Sequence, residues 1–365
     1  MKTIPIKINF KNHPVHVGVN LIAKVPQWID NETASRKVAI VTHPELVNLA
    51  APLMEALRDS DYSPSLITIP SGESSKSMDT AMRIIDQLLE HQFERKDTVI
   101  SFGGGVVGDT AAFAASIYLR GINLIHIPTT LLAQVDSAIG GKTGVNHSKG
   151  KNLIGTFYQP LFTVVDFTLL ATLPEREIKC GLAEIVKYGI IGNAGLFKYI
   201  ETHVDKIKAC NITRDSDIWA HLITRSVADK TQVVTQDEKE SGRREILNFG
   251  HTIGHGVEAA SGYGRYLHGE AVAIGMIGAT RLAETMGFLD SKTAIRIDNL
   301  ILALGYDTTI DSSVTLSEVM GAMRLDKKVR NGKMRFVLPF GIGDVETVSD
   351  IDELMVTEII EGLYA

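Results

Sequence analysis

Thr98-Val-Ile-Ser-Phe102 runs without a break into Gly103-Gly104-Gly105-Val106-Val107-Gly108-Asp109 and then into an alanine-rich stretch from Thr110 to Tyr118. A short apolar run, a glycine cluster and a helical run together make a strand–loop–helix unit suited to cradling a phosphate. Glycines let backbone N–H groups approach an anion closely, and the helix N-terminus adds partial positive charge. Residues 103–108 satisfy G-x-G-x-x-G, a pattern of low specificity by itself. A tight structural turn is the plain alternative, although three consecutive glycines exceed what a turn requires.

Upstream, Lys37-Val-Ala-Ile-Val-Thr42 reads as a buried parallel strand and is followed by a helical pattern from Pro44 to Arg58. Leu66-Ile-Thr-Ile-Pro70 reads as a second strand, and Ser77 to His91 as a helix with Met82, Ile85, Leu88 and Leu89 at helical spacing. Strands alternating with helices predict an open α/β sheet. The glycine loop follows the third strand and not the first, which departs from the usual Rossmann order. The polar loop Ser71-Gly72-Glu73-Ser74-Ser75-Lys76 ends the second strand at the same sheet edge, where it can hold a ribose or base; a helix N-cap and first turn fit it equally.

Downstream, the strand Leu124–Pro128 leads to Thr129-Thr130, to Gln134-Val135-Asp136, to Gly140-Gly141-Lys142-Thr143-Gly144 and to Lys149-Gly150-Lys151-Asn152. Three lysines in a glycine-rich loop after a hydroxyl pair suit a phosphate, each lysine acting as a point charge. Solvated surface lysines are the alternative. Asp136, in a mostly apolar segment, needs a partner or a substrate hydroxyl. Arg120, in Tyr118-Leu-Arg-Gly121, can cap the preceding helix or reach an anion, including one across a subunit boundary.

From Leu173-Pro174 onward the periodicity is helical, over Leu196–Ile200, Ile218–Val234, His251–Ala260, Glu270–Met286 and Ile295–Leu304, with a short hairpin at Lys333–Leu338. The fold class expected is α/β: a Rossmann-like nucleotide-binding α/β domain over residues 1–172, then a mainly α-helical metal- and substrate-binding domain over 173–365. The cleft between them is the expected active site, and its closure on ligand binding is a further expectation.

Two segments of the helical half carry chemistry. In Asn248-Phe-Gly-His251-Thr-Ile-Gly-His255 the histidines lie four apart, on one helical face, and His268 can return to them after the turn at Ser261-Gly262-Tyr263-Gly264. Neutral imidazole is the commonest protein ligand for zinc. Thr252 occupies the place of the Glu in H-E-x-x-H, so a zinc-protease reading loses its general base. In Cys180-Gly-Leu-Ala-Glu184-Ile-Val-Lys187-Tyr188 an acid and a base sit three apart in an apolar run, where unpaired charge is costly. Glu184 would complete a Glu–His–His set with one position open, as catalytic zinc sites have. Helical histidines with ordinary hydrogen bonds and an i,i+3 salt bridge are the alternative. Cys180 either touches the metal or fills space as a small buried hydrophobe.

Composition removes other classes. At 365 residues, 44% hydrophobic and 22% charged, the chain suits two ordinary domains and not disorder. No run approaches the ~18 apolar residues of a membrane span, and Met1–Phe10 alternates like a strand instead of forming a signal peptide. A net charge of −6 without any Lys/Arg block argues against nucleic acid, so an anionic ligand must be met by locally gathered cations. Two cysteines cannot make a disulfide framework and suit a reducing cytoplasm.

Taken together, the glycine loop, Thr129-Thr130, Gln134-Val135-Asp136-Ser137, Gly140-Gly141-Lys142-Thr143-Gly144, Gly150-Lys151-Asn152, Gly181-Leu-Ala-Glu184-Ile-Val-Lys187-Tyr188, Asn248–His255 and Leu267-His268-Gly-Glu270 resemble the 3-dehydroquinate synthase family of sugar phosphate cyclases, in the right order from Ser71 to Gly343. The resemblance implies a cytoplasmic, homodimeric lyase that uses NAD and zinc to convert 3-deoxy-D-arabino-heptulosonate 7-phosphate into 3-dehydroquinate and phosphate, in the shikimate pathway to the aromatic amino acids. Cobalt can replace zinc in such a site. The zinc ligands implied are Glu184, His251 and His268. His255 is then a proton-transfer residue beside the phosphate, and Glu240 a second acid/base. Lys142 and Asn152, with Arg120 from the neighbouring subunit, match phosphate contacts, while Lys187 and Asp136 match contacts to ring hydroxyls. Lys230, Arg244 and Asn248 match a clamp on the substrate carboxylate. For NAD, the resemblance implies Glu73, Ser74, Ser75 and Lys76; Gly104, Gly105, Val106 and Asp109; Thr129, Thr130, Lys142 and Lys151; and the stretch from Leu169 to Thr172. It also implies a lysine within Asp326-Lys327-Lys328. His43 stands where members often carry Asp or Asn for the adenosine ribose.

Related cyclases that make 2-deoxy-scyllo-inosose or valiolone-type rings act on substrates without a carboxylate, so Lys230, Arg244 and Asn248 together favour a 2-keto acid sugar phosphate. A metal-dependent polyol or alcohol dehydrogenase would need no phosphate site. A metal- or nucleotide-sensing module is the non-catalytic alternative.

Overall fold

The computed structural model describes residues 1–8, 11–240, 242–262, 264–325 and 334–364. They form two compact units, Met1–Leu173 with Lys230–Lys239, and Pro174–Asp229 with Glu240–Ala365. The first unit thus takes in Lys230–Lys239, a return that a single boundary after residue 172 leaves out.

In the first unit the strands, in chain order, are β1 (Lys2–Ile4), β2 (Lys7–Ile8), β3 (Lys11–Asn12), β4 (Val15–Gly18), β5 (Lys37–Thr42), β6 (Ser63–Thr68), β7 (Thr98–Gly103), β8 (Asn123–Pro128), β9 (Lys142–His147), β10 (Gly150–Phe157) and β11 (Phe162–Asp166). Its helices are α1 (Val25–Asp30), α2 (Val47–Asp59), α3 (Met78–Glu90) and α4 (Gly105–Ile117). Among the described residues seven strands make one sheet in the order β1-β4-β11-β8-β7-β5-β6. Only the edge pair β1–β4 is antiparallel.

The inner strands are apolar throughout because helices cover both faces. Ala39, Val41 and Val99 point to the side covered by α3 and α4, with Ile84, Leu88, Val107 and Ala111. Val38, Ile40, Ile100 and Phe102 point to the opposite side, with Val25, Ile29, Leu53 and Leu57 of α1 and α2. Each large apolar side chain buried this way contributes roughly 1.5–3 kcal/mol. The chain leaves β5 for β6 on one side and returns to β7 on the other, so the connections at the ends of β5 and β7 diverge. That divergence is where open α/β sheets bind ligands, and Gly103-Gly104 ends β7 there.

Two local expectations need correction. Helix α4 starts at Gly105 and not at Thr110, with Gly104 as an extended N-cap and Gly108 N donating to Gly104 O at 3.0 Å. The glycines therefore form a sharp strand-to-helix turn plus a first helical turn, and Val106 and Asp109 are helical. The lysine-bearing segment is not a loop but the antiparallel hairpin β9–β10. Gly144 and Gly155 face each other across it, and a Cβ on Gly144 would come within 2.7 Å of Ile154 O. These glycines serve close strand approach and not flexibility.

Ser101 on β7 and His126 on β8 are paired in register, with Oγ and Nδ1 2.6 Å apart. Burial pushes the His126 imidazole down to about 4. The unfolded chain therefore binds more protons than the folded one between its ordinary value near 6.5 and 4. Stability from this group is complete above pH 6.5 and is lost as pH falls, at up to about 1.4 kcal/mol per pH unit. Urea unfolding of metal-free protein across this range should show His126→Asn with a shallower acid loss than wild type. Parallel curves would show that His126 is protonated in the fold.

The second unit is helical: α5 (Glu175–Gly192), α6 (Ala194–Thr202), α7 (Val204–Lys208), α8 (Ser216–Gln236, which belongs to the first unit from Lys230 onward), α9 (His251–Ala260), α10 (His268–Thr285), α11 (Ser291–Ala303), α12 (Leu316–Leu325) and α13 (Glu353–Glu361). A hairpin, β12 (Phe336–Gly341) with β13 (Asp344–Val348), lies near its end; Lys333 of the expected hairpin lies outside the described residues. No described helix is long and apolar enough to cross a membrane.

Candidate functional site

Glycines set the candidate metal centre. A Cβ on Gly269 of α10 would come within 2.6 Å of Cys180 Cα on α5, and one on Gly254 of α9 within 2.8 Å of Ala271 O on α10. Gly250, at φ 77°, turns the chain into α9 just before His251. Backbones this close bring short side chains to one point. His251 Nε2 and His268 Nε2 each lie 3.4 Å from Glu184 Oε1, and donor atoms of the three residues lie within 4.8 Å of one another.

Glu184 is 0% exposed, and its Oε1 accepts no hydrogen bond. A buried carboxylate oxygen normally finds a donor. Two imidazole nitrogens turned to that oxygen are the partners a cation would join, so the donor set fits zinc or cobalt. Lys187, 1% exposed and one turn along α5, is ion-paired with the other oxygen, Oε2. Burial works against the Glu184 anion, but Lys187 and His251 hold its pKa well below the ordinary value. Burial lowers His251 to about 4 despite Glu184, leaving a neutral imidazole at pH 7. For His268 burial is outweighed by Glu184 and Glu258, which push it up to about 9.

His255 stands beside this cluster, its ring centroid 5.3 Å from that of His251 and 5.8 Å from that of His268. Glu258, which the sequence reading passes over, approaches the other face of the centre, with Oε2 3.6 Å from His268 Nδ1. Its signal was present as the spacing His251, His255, Glu258, one stripe of a helix. Cys180 is not among the clustered donors: its Sγ accepts from Gly269 N at 3.2 Å, and burial pushes its thiol up to about 12. Asn248 Nδ2 donates to Glu240 Oε1 at 3.0 Å, joining two expected site residues, and Glu240 holds a left-handed φ of 55°. Arg244 is 2% exposed in the turn Arg243–Asn248, and the next residue, Glu245, pairs with Arg335 at 2.8 Å.

In the first unit, Lys76 Nζ donates to Asp109 Oδ2 and Asn152 Oδ1, each at 2.5 Å. Burial would disfavour its charge, but Asp109 and Glu73 more than compensate and raise its pKa. Asn146 extends the network, donating to Glu73 Oε1 at 2.7 Å and accepting from Asn152 N at 2.9 Å. The polar loop, the first turn of α4 and the hairpin are thus one connected group. Asn152, expected at a phosphate, accepts from Lys76 through its Oδ1 and adopts φ 55°. Ser75 is buried and donates to Gly72 O at 2.7 Å, and Ser74 sits in the same turn.

Thr129 N donates to Gly103 O at 3.0 Å, and a Cβ on Gly104 would lie 3.0 Å from Thr130 Cγ2, so the hydroxyl pair flanks the glycine turn. Lys230 Nζ donates to Asp136 O at 2.7 Å and to Oδ1 at 2.6 Å. Two residues expected at different substrate groups therefore form one ion pair. Leu169 is buried in the core beneath α1 and α2, leaving its backbone and Thr172 as the parts that could meet a cofactor. Lys142 is exposed and Lys151 half-buried on the hairpin, while Arg120 is exposed at a left-handed kink, φ 65°. His43 Nδ1 lies 3.0 Å from Ile69 O. Lys327 and Lys328 lie outside the described residues.

The family model described as 3-dehydroquinate synthase N-terminal matches residues 66–180, and that described as 3-dehydroquinate synthase C-terminal matches 181–329. A 3-dehydroquinate synthase of Dictyoglomus thermophilum is 43% identical over 100% of this chain and 98% of its own, and one of Desulforamulus reducens 41% identical over 99% of each. Among solved structures, 2-deoxy-scyllo-inosose synthase with carbaglucose-6-phosphate, NAD+ and Co2+ superposes with a TM-score of 0.89 at 25% identity, covering 99% of both chains. The 2-epi-5-epi-valiolone synthase of Streptomyces hygroscopicus, with NAD+ and Zn2+ bound, gives 0.88 at 29% identity over 98% of each. Glycerol dehydrogenase of Schizosaccharomyces pombe shares the fold, with a TM-score of 0.68 at 15% identity, covering 96% of this chain and 88% of its own. With both halves matched in order and full-length relatives above 40% identity, the chain belongs to the 3-dehydroquinate synthase family.

Proposed function

We propose that this chain converts 3-deoxy-D-arabino-heptulosonate 7-phosphate into 3-dehydroquinate and inorganic phosphate, as a carbon–oxygen lyase of the shikimate pathway. The observation that carries this reading is the Glu184–His251–His268 donor set with Lys187 at its side, in one chain with the strand–glycine–helix cradle. The substrate's C5 hydroxyl is oxidised, phosphate leaves by β-elimination, the ketone is reduced again, and ring opening with an intramolecular aldol closes the carbocycle. Two electrons leave and return, so substrate and products balance without net redox. NAD, when bound, supplies the reversible hydride acceptance, and zinc polarises the oxygens undergoing change.

The chain's own groups do the rest. Residues 1–172 serve the dinucleotide, through Glu73–Lys76, the turn Gly104–Val106, Asp109, Thr129, Thr130, Lys151 and Leu169–Thr172. Lys142 and Asn152 take the phosphate, and Lys76 is positioned to share Asn152 with it. Residues 173–365 hold the metal and supply most of the ring and carboxylate contacts, Lys230 among them although it belongs to the first unit. His255, beside the metal cluster, moves a proton during elimination, and Glu240, held by Asn248, is a second acid/base. Lys187 and Asp136 take ring hydroxyls, and Lys230, Arg244 and Asn248 the carboxylate. A cytoplasmic homodimer in which Arg120 serves the neighbouring subunit's phosphate belongs to the same reading; the exposure of Arg120 and the two free cysteines support it.

Zinc-loaded protein given the heptulosonate phosphate and substoichiometric NAD should release many phosphates per NAD without accumulating NADH. NADH accumulation without phosphate would instead mark a dehydrogenase. Phosphate release from a carboxylate-free sugar phosphate alone would mark a cyclase of the inosose type.

A further inference from the structure

Both histidines of the metal cluster present Nε2 to Glu184, and each has its Nδ1 turned to another oxygen. For His251 that oxygen is the carbonyl of Phe249, 2.9 Å away, two residues back along the chain. For His268 it is the carboxylate of Glu258, 3.6 Å away on a different helix. Glu258 is buried, where a carboxylate needs a counter-charge or a strong donor. Imidazole ligands are commonly fixed in this way, the ring nitrogen remote from the metal donating to a carboxylate or carbonyl that sets tautomer and orientation.

We infer that Glu258 is a positioning residue for the metal: its carboxylate takes the Nδ1–H of His268, fixes the ring so that Nε2 is the ligand atom, and strengthens that nitrogen as a donor. This rests on the metal reading above. The two histidines are then held unequally, His251 by neutral backbone and His268 by a charged side chain. His268 stands at the first position of α10, where no preceding helical turn restrains it, so a side-chain anchor has the larger effect there. Donor atoms of His255, Glu258 and His268 also lie within 4.8 Å of one another, which makes this trio the rival place for an ion.

The test compares Glu258→Gln, His268→Ala and Glu184→Gln by zinc competition against a chromogenic chelator and by the visible spectrum of the cobalt-loaded protein, with metal-free thermal unfolding as the folding control. Glu258→Gln should still bind one zinc, with affinity about 10–100-fold weaker, and should shift the cobalt bands while metal-free unfolding stays close to wild type. Wild-type affinity and an unchanged cobalt spectrum in Glu258→Gln, with metal lost in His268→Ala, would overturn the positioning role and leave the metal site standing. Stoichiometric zinc retained by Glu184→Gln but lost by Glu258→Gln would place the ion in the rival trio and overturn both. If Glu258→Gln unfolds early, Glu258→Ala with added acetate provides the second arm: partial recovery of zinc affinity supports the role, and none refutes it.

Discussion

Replacing Glu184 by Gln should remove stoichiometric zinc, abolish phosphate release, and destabilise the metal-free protein. The first two effects follow from chemistry, since an amide oxygen is a poor replacement for the single anionic ligand in a Glu–His–His set. The third follows from burial. Lys187 is 1% exposed and shares Oε2 of Glu184, so the substitution leaves an ammonium in the interior without its counter-charge. Breaking a buried pair from one side costs about 3–5 kcal/mol, whereas replacing both partners by groups of similar volume is often neutral. Glu184→Gln combined with Lys187→Met should therefore recover most of the lost stability while recovering neither zinc nor activity. Atomic absorption after dialysis and urea unfolding with a chelator present separate the two effects. Full zinc occupancy in Glu184→Gln would remove this carboxylate from the ligand set. Metal-free unfolding equal to wild type would mean that the pair contributes little to stability.

The same pair shows how far local sequence reaches. Glu184 and Lys187 lie three apart in an apolar run, and both the chemistry and the burial are legible there because a helix fixes what i and i+3 do. Helix α9 is legible for a related reason: Gly250 before it and Gly262 after it bracket a periodic stretch that starts at His251. Strands β5 and β7 read directly because coverage on both faces makes them uniformly apolar.

Where partners are distant, the signal fades. Asp136 and Lys230 are 94 residues apart and pair within the first unit, yet each in sequence is only a charge in search of a partner. Hairpin β9–β10 hides because Gly144, Gly150 and Gly155 resemble loop punctuation, whereas the backbone uses Gly144 and Gly155 for close approach. The onset of α4 hides behind Gly105 and Gly108, whose low helix propensity is overridden by the turn from β7. Glu258 hides because a lone acid on a helix face normally means solvent, and only α10 brings His268 to it.

Arg244→Met should lower kcat/KM for the heptulosonate phosphate by about a thousandfold while leaving zinc stoichiometry and NAD affinity unchanged. Arg244 is 2% exposed, and its turn is anchored by the neighbouring Glu245–Arg335 pair, so its guanidinium is desolvated on a fixed backbone before any ligand arrives. A preorganised, desolvated guanidinium can grip a carboxylate through two parallel hydrogen bonds, and truncating one partner of such a pair costs 2–5 kcal/mol, which brackets the predicted loss. Met keeps much of the side chain's volume, so the measurement reports charge and donors more than packing. Arg244→Lys separates recognition from simple charge: one ammonium cannot reproduce the planar fork, so most of the loss should persist. Full activity in Arg244→Lys would show that Arg244 supplies only a local positive potential. An unchanged kcat/KM in Arg244→Met would remove it from the carboxylate clamp, and with it the main reason for preferring a 2-keto acid sugar phosphate over the carboxylate-free substrates of the related cyclases.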